Sequence, residues 1–166
     1  MFDIRIYGNP VLRKTARAVD VFDEKLKQFV KDMIETMRVE DGVGLAAPQV
    51  GESVQIAVIG ITAGEGTPYV LINPVIFESS EDNVTAEEGC LSLPGITVNV
   101  TRPAKVSVRA FDENGTEYEI RNADGLLARA LQHEIDHLNG IMIVDHISAL
   151  QKTMINKKLK KLTKIK

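Results

Sequence analysis

Apolar residues recur along this chain at two spacings, and the spacing divides it into elements. From Asp23 to Arg38 they fall at Leu26, Phe29, Val30, Met33, Ile34 and Met37, threes and fours apart. That period predicts an amphipathic helix, which Asp41-Gly42 ends. The lead-in, residues 1 to 22, lacks such a period and carries turn chemistry at Gly8-Asn9-Pro10. β-Branched runs at Val54 to Ile59 and Tyr69 to Phe77 predict strands, joined by a loop over residues 64–68. The stretch from Glu78 to Glu88 is polar and acidic and predicts no element. Thr97 to Val100 and Lys105 to Ala110 predict strands on either side of a break at Arg102-Pro103, and Asn114-Gly115 predicts a hairpin turn into Thr116 to Ile120.

The helical period returns after Asp124-Gly125, with Leu126, Leu127, Ala130, Leu131, Ile135 and Leu138, and stops at Asn139-Gly140. A last run, Leu150, Met154, Ile155, Leu159 and Leu162, predicts a C-terminal helix over residues 148–166 whose apolar stripe docks on the domain. Strands grouped in the middle with helices near both ends predict an α+β fold. Its antiparallel or mixed β-sheets pack around the helix that follows Asp124, with one helix N-terminal and one C-terminal to them.

A chain of 166 residues that is 44% hydrophobic and 26% charged is expected to form one domain, 1–166, around a single core. No apolar run approaches 18 residues, so no membrane span is expected, and the N-terminus shows no secretory pattern. A lone cysteine excludes an internal disulfide and fits a reducing cytoplasm. The net charge of −3 conceals an asymmetry, because residues 151 to 166 carry seven lysines and no acid, while the first 150 residues hold a net −10. The basic end is read as a solvated helix or as a contact for an anionic partner such as RNA.

The candidate chemistry is densest in QHEIDHLNG, residues 132–140, which holds two of the three histidines. On a helix, four residues advance about 400°, so His133 and His137 stand one turn apart on one face, as a metal-binding pair does. Glu134 lies within reach of a water at such a metal, where a general base belongs. Two histidines do not close a metal site. The extended pattern HExxHxxGxxH keeps Gly140 but has Ile143 at its third histidine, and no glutamate follows Glu134. The remaining donors are Asp145, His146 and, upstream, Cys90. A lone cysteine is usually a small buried hydrophobe. Cys90, however, lies between Gly89 and a Ser-Leu-Pro-Gly turn that can present it to a cavity, and a thiolate with two imidazoles leaves a fourth position open. A Cys-His acyl-transfer dyad is the competing chemistry and leaves Glu134 and the second histidine without a role. GVGLAAPQV, residues 42–50, lacks the third glycine or GK[ST] of a nucleotide loop. Its small residues suit close approach of a ligand or another segment.

GVGLAAPQV, EGCLSLPG and QHEIDHLNG, in this order and with the GNPVLR start, resemble the signature motifs of the peptide deformylase family in its shorter bacterial form. The resemblance implies metal-dependent removal of the N-formyl group from the formyl-methionine of newly made polypeptides, with release of formate. It implies Cys90, His133 and His137 as metal ligands and Glu134 as acid/base. Gln49 and the N–H of Leu91 would be the donors to the developing oxyanion. The backbones of Val43 and Gly89 match positions that pair with an extended substrate, and Gly44 lets its loop lie close to the site. Val43, Leu126, Arg129, Ala130 and His133 match the pocket for the methionine side chain, and Glu88 and Arg102 a charged pair near the peptide path. Arg129 stands where an aliphatic residue is often found; either its stem lines the pocket with its head in water, or the pocket is more open there. The family implies Fe(II) in the cell, with zinc, nickel or cobalt in some preparations. Formylated nascent peptides are the expected partners, with a ribosome contact through the basic helix, and neither membrane nor DNA.

Overall fold

The computed structural model describes residues 1–61 and 66–164. Of the loop expected at 64–68, residues 64 and 65 lie outside the described residues, as do the last two residues of the helix expected at 148–166.

The N-terminal helix, α1, runs Glu24–Val39, and the Asp23 side chain caps it by accepting from the Leu26 amide at 3.0 Å. Three strands follow: β1 (Gly44–Ala46), β2 (Ile56–Ile59) and β3 (Tyr69–Ser79). Next come β4 (Asn83–Gly89), β5 (Thr97–Pro103), β6 (Val106–Phe111) and β7 (Glu117–Ala123). The second helix, α2, spans Gly125–Leu138, and the last, α3, spans Ala149–Thr163. Every strand pairing between these elements is antiparallel: β1-β2-β3-β6-β7 form one sheet, and β4-β5 a separate hairpin.

The period of two in the strands explains why both helices are needed. Leu45, Val58, Val70 and Ile72 face α1, where they pack with Leu26, Val30, Met33 and Met37. The alternate residues Ala46, Ala57, Ile59 and Leu71 face α2 and meet Ala128, Leu131, Ile135 and Leu138. Covered on both faces, β2 reads as the continuous apolar run IAVI. A third cluster joins Val98 and Val100 of β5 to Met142, Ile143, Leu159 and Leu162, which fastens α3 to the hairpin. The functional helix α2 is thereby held between sheet and hairpin. Among the described residues, no helix is long and apolar enough to cross a membrane.

Three local expectations need correction. The acidic stretch from Glu78 to Glu88 is not without structure: it contains the end of β3 and nearly all of β4. β4 pairs only with β5 and is solvated on most of its length, so no apolar alternation marks it. β5 runs on through Arg102 to Pro103 instead of breaking before them, with Pro103 as its last residue, where a missing N–H costs least. In α3 only part of the stripe docks: Leu159 and Leu162 are buried, but Leu150 and Met154 are 73% and 76% exposed.

Candidate metal centre

α2 supplies two of the three donors. Its i, i+4 geometry brings the Nε2 atoms of His133 and His137 to 3.2 Å. The third comes from the turn after β4, where the Leu93 amide closes back on the Cys90 carbonyl at 2.9 Å. That turn presents the Cys90 Sγ 3.3 Å from His137 Nε2. All three donor atoms lie within 4.8 Å of one another. The other candidates are engaged elsewhere. Asp145 is paired with Arg13 at 2.5 Å and caps the Met142 amide, and His146 is hydrogen-bonded to Asp136 at 2.7 Å.

Glu88 orients the first histidine, with its Oε1 2.9 Å from His133 Nδ1. Arg102 grips the same carboxylate with Nε at 2.7 Å and Nη2 at 3.0 Å, and Arg129 Nη1 reaches it at 2.5 Å. Burial pushes the Glu88 carboxyl up, but the hydrogen bonds from His133, Arg102 and Arg129 and the Arg102 charge outweigh it and hold the group well below the usual carboxylate range. An ionised Glu88 accepts from His133 Nδ1 and turns its Nε2 toward the shared space; although burial pulls the ring down, the charge of Glu134 and the hydrogen bonds to Cys90 and Glu88 hold it well above the usual histidine value, so a metal bound there would displace the Nε2 proton. Burial, then the charge of the neighbouring His133, keeps His137 well below the usual histidine value. It is therefore a neutral donor, as a metal ligand must be.

Glu134 is 4% exposed, and its Oε1 has no hydrogen-bond partner among the described residues. Burial raises its carboxyl to about 7, against the opposing charges of His133 and Arg102. The first residue of β1 fits against it closely: a Cβ added to Gly44 would lie 2.6 Å from Glu134 Oε2. Gly44 thus answers to the helix bearing Glu134, whereas a Cβ on Gly42 would meet the Leu91 side chain at 2.9 Å. Gln49 is fixed at both ends of its amide, with Oε1 accepting from the Ala46 N–H at 3.0 Å and Nε2 donating to Ser92 Oγ at 3.1 Å. The same Nε2 is 3.5 Å from Cys90 Sγ.

A cavity of about 360 Å³ opens beside these groups. Val43, Gly44, Gln49, Glu88, Gly89, Cys90, Leu91, Leu126, Arg129, Ala130, His133 and Glu134 all line it, so the structure brings together nearly every residue singled out in the sequence. His137 lies behind the wall, 1% exposed. Arg102 is 4% exposed and reaches the cavity only through Glu88. Arg129 lines the cavity, as one of the two expectations has it, but its head departs from that expectation. Its head is not in water: Nη1 also donates to the Val100 carbonyl at 2.9 Å and Nη2 to the Val84 carbonyl at 2.7 Å. Two contributors escaped the sequence reading. Ser92, fully buried, steadies Gln49, and Asp136 accepts from Arg102 at 2.9 Å. A serine flanked by leucines at a turn was the only local signal for the first.

One thiol and two imidazoles whose donor atoms converge, beside a buried carboxylate oxygen without a partner among the described residues, fit a single divalent transition metal with an open position. Fold and site together define an α+β metal-dependent hydrolase. A family model described as "Polypeptide deformylase" matches residues 1–153. The chain is 48% identical over 160 residues to a peptide deformylase of Brucella suis, covering 95% of this chain and 90% of that protein. With a peptide deformylase of Thermotoga maritima it shares 46% over 159 residues, 96% and 94% of the two chains. The crystal structure of a peptide deformylase from Legionella pneumophila superposes with a TM-score of 0.92 at 43% identity, over 99% of this chain and 96% of that one. This chain belongs to the polypeptide deformylase family, whose members are metalloenzymes that deformylate nascent peptides.

Proposed function

We propose that Cys90, His133 and His137 hold one Fe(II), that Glu134 is the acid/base, and that the chain removes formate from N-formylmethionyl nascent peptides in the cytoplasm. The observation that carries this reading is the convergence of Sγ and two Nε2 atoms next to a Glu134 oxygen that has no partner among the described residues. A divalent metal held there would polarise the formyl carbonyl and lower the pKa of a water from 15.7 toward about 7. Glu134, raised to about 7 by burial, is matched to take a proton from the attacking water and to return it to the leaving amine. The Gln49 amide and the Leu91 N–H donate to the oxygen of the formyl group as it gains charge; one such donor is typically worth about 2.7–4 kcal/mol. Val43 and Gly89, which both line the cavity, offer backbone groups to an extended peptide. Leu126, Arg129 and Ala130 take its first side chain.

The donor set suits zinc, nickel or cobalt as well as iron, so the metal in the cell is read from protein prepared anaerobically, by elemental analysis beside activity. Formyl-Met-Ala-Ser should yield formate and intact Met-Ala-Ser, with no reaction of the unformylated peptide; scission of the Met–Ala bond would assign a peptidase instead.

Gly44→Ala tests the close fit of the loop. A Cβ at 2.6 Å from the Glu134 carboxylate must displace it, and a misplacement of about 1 Å can cost on the order of 10²-fold. The expected result is a kcat/KM loss of that order with metal content unchanged, measured by formate release and elemental analysis.

In the same reading, residues 1–166 are one catalytic domain and 148–166 its basic appendage, which meets the ribosome through RNA. Lys157, Lys158 and Lys161 are exposed, whereas Leu159 and Leu162 are buried. Reversing those three charges to glutamate therefore spares the docked stripe. Co-sedimentation with ribosomes should weaken and lose salt dependence, with peptide deformylation unchanged; unaltered co-sedimentation would remove the ribosome from the account.

A further inference from the structure

Arg129 lines two cavities. One is the space of about 360 Å³ beside the metal centre. The other, of about 300 Å³, lies beyond it between the β4–β5 hairpin and the start of α2, against Val84, Ala86, Pro103 and Ala104. Glu87, Leu126 and Arg129 belong to both linings. Glu87 is exposed and Leu126 is 58% exposed, so these two form the rim. The Arg129 side chain is only 12% exposed and forms the partition.

The partition is braced from three sides. The guanidinium donates to the Val84 carbonyl on β4, to the Val100 carbonyl on β5, and to the Glu88 carboxylate beneath His133. A side chain tied to two strands and to a buried anion does not swing aside at little cost. An aliphatic residue at the same position would lack all three ties.

We propose that Arg129 is the specificity-determining end wall of the substrate side-chain pocket, and that it limits the length of the first side chain the site accepts. This rests on the deformylase reading above. With the wall in place, a side chain of methionine's length fills the near cavity and stops at the guanidinium stem. Without it, the farther 300 Å³ becomes part of the same pocket. The second space is bounded largely by apolar residues, so a longer hydrocarbon chain gains contact there.

The test compares kcat/KM for formyl-Xaa-Ala-Ser peptides in which Xaa is methionine or 2-aminooctanoic acid, whose side chain is two heavy atoms longer. The wild type should prefer methionine. Arg129→Ala should lower the methionine rate, because Glu88 loses a donor, yet raise the aminooctanoate-to-methionine ratio by roughly tenfold, the scale on which pocket fit discriminates methylenes. Arg129→Lys should keep the wild-type ratio, since its stem still fills the partition. Arg129→Gln retains a donor in the partition but is too short to span to both strands. It should shift the ratio in the same direction as alanine and serves where alanine does not fold. A uniform fall in rate for both peptides, with the ratio unchanged in the alanine and glutamine variants, would overturn the proposal and leave Arg129 a structural brace. A wild type inactive on the formyl-methionine peptide would instead overturn the deformylase reading, and this inference with it.

Discussion

Glu134→Ala should abolish turnover while the protein keeps its metal. Of the ionisable groups around the cavity, Glu134 alone combines burial with an oxygen that has no partner among the described residues. It is also held near a pKa of about 7 by the loss of solvent around it. A carboxyl poised there exchanges a proton in either direction at neutral pH. Deleting such a group costs on the order of 10²–10⁴-fold in kcat. The donors Cys90, His133 and His137 do not depend on it for position, since His133 is oriented by Glu88. Formate release and elemental analysis on the same sample separate the two effects. Activity within a few-fold of wild type would remove Glu134 from the proton path. Loss of metal together with activity would assign it to the ligand set.

Cys90→Ala should empty the site. The thiol is the one donor that does not come from α2, and it closes the triangle with the two imidazoles. Its loss leaves a pair of nitrogen donors one helical turn apart, too few for a catalytic site that normally keeps three protein ligands. Metal content should fall below a tenth of an equivalent, and formate release should fall to the background of metal-free protein. The fold should persist, because Cys90 is partly exposed at the edge of its apolar cluster and is not at its centre. A melting curve near that of the metal-free wild type would show this. Full metal occupancy in the alanine variant would shift the third ligand elsewhere, and the arrangement of Asp145 and His146 would then have to change.

What was legible in the sequence is what local spacing controls. The i, i+4 histidines needed only a helix, and the apolar period of α2 supplied it together with its caps at Asp124 and Gly140. The glycine loop signalled close approach but not its partner, which lies ninety positions downstream in Glu134. Contacts of that kind leave no local pattern. Glu88 shows the same limit: read as part of a charged pair on the peptide path, it lines the cavity and also holds His133, with Arg102 buried beneath it. For Arg129 the sequence leaves two alternatives, a head in water or a more open pocket end, because nothing local reveals the two strand carbonyls, far away in the chain, that hold its head. β4 carries no apolar alternation in the sequence because that strand is wet on most of its length. The stripe of α3 was overextended because an apolar residue at helical spacing does not reveal where the helix leaves the domain, as Leu150 and Met154 do.

One metal ion on Cys90, His133 and His137 should be both necessary and sufficient for deformylation by this chain. The decisive experiment titrates Fe(II) anaerobically into metal-stripped protein and follows formate release from formyl-Met-Ala-Ser at each step. Activity should rise in proportion to metal, level off at one equivalent, and be absent throughout the titration of Cys90→Ala. Formate released at the full rate by metal-free protein, or undiminished in the Cys90 variant, would contradict that requirement.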